Sequence, residues 1–163
     1  MTTKPLIIAH RGASGLVKFE NTLASFAKAI ELGVSMVEFD VRKTQDNLFV
    51  AFHDESIDGI KLSNLTYQQL LDISRQKGFN VPLVEDVLKL CRGKIKLDIE
   101  LKNVVIDLAL VSCVTSSGCN SKKLIHLVSI FASSAHLAHT FTSYFKFAVI
   151  YLVFCAASTL LTI

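Results

Sequence analysis

MVEFDV, residues 36–41, alternates apolar and acidic side chains with a period of two, which is the period of a β-strand. Glu38 and Asp40 are therefore expected on one face of the strand, opposite an apolar face. The segment IKLDIEL, residues 95–101, repeats the pattern and, with the residue after it, places three polar side chains on one face: Asp98, Glu100 and Lys102. Since helices pack against the apolar faces, the acids of both segments are expected in a shared, wet interior.

Both segments belong to a longer alternation of short apolar runs with helical spacing, which covers residues 1–102. The apolar runs predict strands at 6–10, 36–41, 49–53 and 95–101. Strands that alternate with helices in this way are typical of βα units and a parallel sheet. The sequence therefore predicts an α/β fold.

The first helix and the first hairpin have local signals. Leu23, Phe26, Ala27 and Ile30 follow the i, i+3, i+4, i+7 spacing of one helix face, with Asn21 as the expected N-cap and Gly33 just beyond the last turn. The dipeptide Asp46-Asn47 is typical of a tight turn. We therefore expect strands 36–41 and 49–53 to form a hairpin.

Two more helices are predicted in the second half of this region. Thr66 and Gln69 form a capping box, and Leu65 with Leu70 forms the matching hydrophobic staple, so a helix should begin at Tyr67. The third helix follows residue 82, and Gly93 is expected to end it.

Chemically active side chains follow the ends of the predicted strands. His10 and His53 stand at the C-terminal ends of apolar runs, where parallel α/β folds place catalytic groups. They are expected to converge with three acids and two cations: Glu38, Asp40, Glu100, Arg11 and Lys102. Taken singly, a strand-end histidine is more often a hydrogen-bonding residue, and either glutamate could belong to a structural ion pair.

The combined set indicates a particular chemistry. Carboxylate oxygens suit one divalent cation, Mg²⁺ or Ca²⁺, whereas zinc would prefer histidine and cysteine ligands. Arg11 and Lys102 would contact a phosphate, and His10 and His53 would divide the roles of general base and general acid. The sequence therefore predicts a metal-assisted phosphodiester cleavage site.

Charge divides the chain after Lys102. Residues 1–102 hold 14 Lys/Arg and 13 Asp/Glu, whereas residues 103–163 hold 3 and 1. The 163 residues, 51% hydrophobic, suffice for one domain and exclude a disordered chain. The net charge of +3 forms no basic stripe, which argues against nucleic acid as a partner. The four cysteines have no CxxC spacing, and the N-terminus offers no signal-peptide core, so we expect a cytoplasmic protein with reduced thiols.

A series of motifs across residues 6–102 resembles the glycerophosphodiester phosphodiesterase family. The motifs are His10-Arg11-Gly12, Glu20-Asn21-Thr22, Ser25-Phe26, Ala29, Gly33, Val37-Glu38-Phe39-Asp40-Val41, Thr44, Asp46, His53-Asp54, Pro82-Leu83 and Ile99-Glu100-Leu101-Lys102. The resemblance implies a (β/α)8 TIM barrel that hydrolyses glycerophosphodiesters to sn-glycerol 3-phosphate and an alcohol. It assigns the same roles: His10 and His53 as the acid and base, Glu38, Asp40 and Glu100 as metal ligands, Arg11 and Lys102 as phosphate contacts.

Such a barrel takes about 250 residues, so the resemblance over residues 6–102 covers only its N-terminal half, which we assign to residues 1–102. We expect the barrel to be incomplete after the fourth strand and strand 95–101 to be an open edge, although residues 127–131 are weakly similar to a later barrel strand. The acid-poor tail, residues 103–163, is either a frame-shifted remainder or a C-terminal membrane anchor.

The anchor hypothesis rests on residues 147–163, which are 17 residues without a charge. As a helix they would reach roughly 25 Å, against a hydrocarbon core of about 30 Å. Membrane association through this segment would keep the first domain cytoplasmic. Self-association with another half-barrel is a further expectation, and the alternative to a hydrolase is an inactive remnant that binds a metal or a partner.

Overall fold

The computed structural model of the protein describes residues 5–102 and 125–130, and for the second range the backbone alone. Within these residues the α-helices and β-strands follow one another as β1 Ile8–His10, α1 Leu23–Glu31, β2 Met36–Lys43, β3 Phe49–Ala51, β4 Ser56–Ile57, β5 Ile60–Lys61, α2 Tyr67–Gln76, α3 Val84–Cys91, β6 Lys96–Lys102 and β7 Ile125–Ile130. The predicted strands and helices are therefore present, and β1 and β3 are shorter than expected.

The main sheet is parallel and is ordered β1-β2-β6-β7. Each of these strands lies beside the next one along the chain, with no reversal of the order. A doubly wound sheet would reverse its order at a switch point, whereas consecutive neighbours are the arrangement of a (β/α) barrel.

Strand β3 is not part of this parallel series. It pairs antiparallel with the end of β2, with Val41 opposite Ala51, so the predicted hairpin is confirmed. Its turn places Asn47 at a positive φ of 63°, a conformation that asparagine tolerates better than most residues. A second short hairpin, β4–β5, was not predicted. It turns at Asp58-Gly59, where both residues have positive φ.

The pairing of β7 contradicts the expected open edge of the sheet. It pairs in parallel with β6 along six register positions, from Leu97 opposite Ile125 to Lys102 opposite Ile130. The expectation that strand 95–101 exposes an unpaired edge is therefore wrong. The sheet continues for one more strand, which overlaps the weakly strand-like residues 127–131.

The chain divides into two compact units, residues 1–130 and 131–163, and the second lies outside the described residues. The predicted anchor at 147–163 lies in this second unit. The residues beyond β7, on which both hypotheses for the tail depend, therefore lie outside the described residues. Among the described residues, no helix has the length and apolar character needed to cross a membrane.

The start of α1 differs from the prediction in its capping residue. Thr22 is the N-cap: its Oγ1 accepts the N–H of Ser25 at 3.2 Å, and Ser25 Oγ accepts the N–H of Thr22 at 3.1 Å. Asn21, the expected N-cap, has a left-handed backbone with a φ of 50°. An N-cap residue has extended backbone, which Asn21 does not have and Thr22 does.

The other helix signals hold. Thr66 and Gln69 form the predicted capping box, and α2 begins at Tyr67. Helix α3 begins two residues after Pro82 and carries Glu85 and Asp86 in its first turn, where acids interact favourably with the helix dipole.

The helix-facing side of the sheet forms the larger core. Val37, Phe39 and Val41 of β2 are fully buried there. They pack in one cluster with residues of α1, α3 and β6: Phe26, Ala29, Val84, Val87, Leu88, Leu97, Ile99 and Leu101. Phe26 of α1 meets Phe39 edge to face, with ring centroids 5.7 Å apart. This packing leaves the other face of β2 and β6 to the polar residues.

Candidate active site

Strand register brings the polar residues together. In the β1–β2 pair His10 lies opposite Glu38, and in the β2–β6 pair Asp40 lies opposite Glu100. One carboxylate oxygen from each of Glu38, Asp40 and Glu100 lies within 4.8 Å of the others. We call these three residues the carboxylate centre.

The carboxylate centre is largely withdrawn from water. Asp40 is fully buried and Glu38 is 8% exposed. Burial raises the pKa of Glu38, and the charges of Asp40 and Glu100 raise it further, although the N–H of Arg11, 3.0 Å from Glu38 Oε2, and His10 act in the opposite direction. Like charges held this close favour a bound proton or a bound cation.

Two cations partly neutralise the centre. Arg11 Nε lies 3.2 Å from Asp40 Oδ2, and Lys102 Nζ lies 3.3 Å from Asp40 Oδ1 and also contacts Glu100. Partial burial lowers the pKa of both cations, but their acidic partners outweigh this and raise it, chiefly Glu20 for Arg11 and Glu100 for Lys102. Both therefore stay charged beside the carboxylates.

The turn that carries Arg11 has a close packing requirement. Arg11 and Gly12 both have positive φ, 54° and 77°. A Cβ at Gly12 would come 2.7 Å from the backbone carbon of Ser25 and would also clash with its Oγ. Glycine at this position lets the strand end pack directly against the start of α1.

The two histidines occupy different positions. His10 Nε2 is 3.8 Å from Glu38 Oε2, and its side chain is 65% exposed. His53 Nδ1 lies 2.8 Å from Asp54 Oδ1, and the backbone oxygen of His53 accepts a hydrogen bond from Arg42 Nε at 2.7 Å. The structure thus brings His10, with both cations, to the carboxylate centre, and it places His53 in the wall of a cavity.

That cavity has a volume of about 340 Å³. Three half-buried phenylalanines line it, Phe19, Phe52 and Phe79, together with polar residues that include Glu20, Asn21 and His53. The rings of Phe19 and Phe79 stack with their centroids 4.9 Å apart. A cavity of this size accommodates a small ligand group.

Sequence reasoning missed two residues of the site. Glu20 Oε1 accepts a hydrogen bond from Arg11 at 2.8 Å, and Asn21 Nδ2 donates to Asp40 Oδ2 at 2.9 Å. Both belong to the Glu20-Asn21-Thr22 motif, which supports the family resemblance but to which sequence reasoning assigns no role in the site. Spacing could not assign one because the partners lie 9 and 19 residues away.

The donor set fits a hard divalent cation. The three side chains of the carboxylate centre offer only oxygen ligands, which suit Mg²⁺ or Ca²⁺. Glu38 Oε1 is buried without a hydrogen-bond partner among the described residues, so a coordination position is open to an ion. The fold and the site thus define an α/β-barrel protein in which three clustered carboxylates, with Arg11 and Lys102 beside them, can hold a divalent cation.

Comparison with known proteins narrows this class. The model of the Glycerophosphoryl diester phosphodiesterase family matches residues 10–153, so the chain belongs to that family. The Bacillus subtilis protein YhdW is 40% identical over 108 residues, which are 59% of this chain and 44% of YhdW. The crystal structure of a glycerophosphodiester phosphodiesterase from Parabacteroides distasonis is 32% identical, with a TM-score of 0.62 over 75% of this chain and 55% of that one.

A third relative has a bound product. The Oleispira antarctica phosphodiesterase, solved in complex with sn-glycerol-3-phosphate, shares the fold at 23% identity, with a TM-score of 0.58 over 77% of this chain and 57% of that one. These matches confirm the predicted family and the (β/α) barrel as the fold class. The chain spans about half the length of the relatives it matches.

Proposed function

We propose that this chain acts as a glycerophosphodiester phosphodiesterase, hydrolysing glycerophosphodiesters to sn-glycerol 3-phosphate and an alcohol. The observation that supports this most is the clustering of three acids, two cations and a histidine at the C-terminal ends of parallel strands. Barrel enzymes bind and transform their substrates at this end. The product bound by the Oleispira relative agrees with the proposed chemistry.

In this proposal Glu38, Asp40 and Glu100 hold one divalent cation, Mg²⁺ or Ca²⁺. When bound, such an ion supplies Lewis-acid stabilisation of charge on the phosphoryl oxygens. Arg11 and Lys102 contact the phosphate itself, since both remain charged beside the carboxylate centre.

His10 and His53 move the protons. Hydrolysis needs one proton removed from the attacking oxygen and one delivered to the leaving oxygen, and two histidines can divide these tasks. Asp54 supports this role for His53. An ionised carboxylate can only accept a hydrogen bond, so the Asp54 side chain favours the tautomer of His53 with a proton on Nδ1. Nε2 of His53 is then the nitrogen that takes up or releases a proton in the reaction. The cavity beside His53 is the proposed site of the alcohol group.

Release of sn-glycerol 3-phosphate from glycerophosphodiesters by the full-length chain tests the proposal. We expect release with Mg²⁺ or Ca²⁺ and loss of release in EDTA. Asp40→Asn should lower the rate by at least about 10²-fold, because it weakens a metal ligand. Asp72→Asn, which removes an acid exposed on α2, is the matched control and should keep the wild-type rate. A wild-type chain that binds the cation but releases no product would contradict the function.

The proposal extends to location and partners. We propose a cytoplasmic protein. The alternative is a protein that is held at a membrane through residues 147–163 with its N-terminal domain in the cytoplasm, and self-association is a further proposal. The alternative to a hydrolase is an inactive remnant that binds a metal or a partner. It is less well supported, because metal binding alone would need the three carboxylates but not a histidine and two cations beside them. Light scattering of the full-length chain, with and without lipid vesicles, tests self-association and membrane association. A monomer that does not bind vesicles would contradict both.

A further inference from the structure

Asn21 combines several features that its neighbours in the loop do not share. It is 3% exposed and has a left-handed φ of 50°. Its N–H donates to the backbone oxygen of Arg11 at 3.0 Å, which ties the loop to the end of β1. Arg11 also has a left-handed backbone, so two adjacent segments with uncommon geometry meet here.

Asn21 and Arg11 both contact the same oxygen of Asp40. Asn21 Nδ2 donates to Asp40 Oδ2 at 2.9 Å, and Arg11 Nε lies 3.2 Å from that oxygen. The other oxygen of Asp40, Oδ1, lies 3.3 Å from Lys102 Nζ, which also contacts Glu100. Asp40 is thus held from one side through Oδ2, while Oδ1 is on the side of Glu100.

The orientation of the amide follows from chemistry. An ionised carboxylate only accepts hydrogen bonds, so the NH₂ group of Asn21 must face Asp40. Asn21 Oδ1 is then buried with no hydrogen-bond partner among the described residues. A buried oxygen without a hydrogen-bond partner is unfavourable. The charge-assisted hydrogen bond to Asp40 therefore stabilises this orientation of the Asn21 side chain.

We propose that Asn21 is a positioning residue for the metal ligand Asp40: by donating to Oδ2 it fixes the carboxylate with Oδ1 directed to the cation. The inference depends on the proposed function only for the cation site. Outer partners that orient a ligating carboxylate typically change metal affinity by 10- to 100-fold when removed.

Calorimetric titration of the full-length chain with Mg²⁺ and with Ca²⁺ tests this. Asn21→Gly removes the side chain and keeps the left-handed backbone, since glycine adopts it readily. Asn47→Gly is the matched control: the same substitution at φ 63°, in the exposed β2–β3 turn. We expect Asn21→Gly to weaken binding of the cation about 10- to 100-fold. Asn47→Gly should stay within about twofold of wild type, because it touches no ligand.

A structural role alone would give a different pattern. It would lower Tm equally in EDTA and in saturating cation, and would leave affinity unchanged. The proposal expects a smaller cation-induced rise in Tm for Asn21→Gly than for Asn47→Gly, because ligand stabilisation depends on affinity. It also expects kcat to recover when the cation concentration is raised. Unchanged affinity in a folded Asn21→Gly would overturn the proposal.

If Asn21→Gly does not fold, wild-type protein still gives an answer. The side-chain amide NMR signals of Asn21 should shift on addition of Mg²⁺ or Ca²⁺, while those of Asn47 stay in place. No shift at saturation would overturn the inference, as would a wild-type chain that binds neither ion. A chain whose affinity for the cation depends on Asn21 but which releases no sn-glycerol 3-phosphate would instead refute the proposed function alone.

Discussion

The two faces of β2 differ in the chemistry of the side chains that they bury. Val37, Phe39 and Val41 are fully buried against helices, and they stabilise the fold through the hydrophobic effect. Glu38 and Asp40, between them in sequence, are buried beside Glu100, and Arg11 and Lys102 neutralise these like charges only in part. This arrangement is unfavourable in the absence of a bound divalent cation. Because side chains alternate along a strand, neighbouring residues of β2 serve different purposes: one set stabilises the fold, and the other forms the candidate site.

The sharpest test of this separation uses the histidines at the polar end of the sheet. His10→Ala and His53→Ala should each lower kcat about 10²- to 10⁴-fold, the usual contribution of a general acid or base. Because His10 is mostly exposed and His53 borders a cavity, Tm should change little. Steady-state release of sn-glycerol 3-phosphate, with Gln76→Ala on the exposed end of α2 as control, measures the effect. Full activity in both variants would refute the assigned roles.

The apolar face should respond in the opposite way. Phe39→Ala should lower the free energy of unfolding by about 3–5 kcal/mol, since it removes a fully buried ring that contacts Phe26. Leu16→Ala, at a side chain that is 67% exposed, is the control and should change stability by less than about 0.5 kcal/mol. Urea unfolding in EDTA measures both. A cost below about 1 kcal/mol at Phe39 would show that this face is not the core.

Local patterns predicted most of the fold because their physics is local. The helical spacing from Leu23 to Ile30 and the capping box of Thr66 and Gln69 involve residues within one or two turns, and the helices begin within two residues of their signals. The period of two in β2 and β6 likewise separated the carboxylates from the core without knowledge of the topology. The clustering of the three acids then requires only that β2 and β6 pair, with Asp40 opposite Glu100.

The errors have equally specific causes. Asn21 was expected to cap α1 because asparagine is common at N-caps, but the same residue tolerates left-handed backbone and is used for that here. Strand β7 was undervalued because Ile125–Ile130, IHLVSI, does not alternate cleanly. Glu20 and Asn21 could not be placed in the site from the sequence, because tertiary contacts determine their partners there.

The smallest expected effect concerns the pH dependence of the polar face. Burial raises the pKa of Glu38 above its ordinary value of 4.5, and nearby acids add to this. The folded chain without metal therefore holds this proton more tightly than the unfolded chain does. The resulting stabilisation is fully present below pH 4.5 and is lost as the pH rises through the folded-state pKa.

Glu38→Gln isolates this contribution, because the amide is uncharged at every pH while the other titrating groups remain. In EDTA, the free energy of unfolding of the wild type should fall relative to that of Glu38→Gln as the pH rises from 4 to about 7, by less than the roughly 3 kcal/mol expected at Phe39. Urea unfolding at several pH values measures the difference. With Mg²⁺ or Ca²⁺ the trend should reverse, since the cation binds the ionised carboxylate. A difference that rises with pH in EDTA would mean that Glu38 is stabilised as the anion by its neighbours, and that its face of the strand is not electrostatically strained.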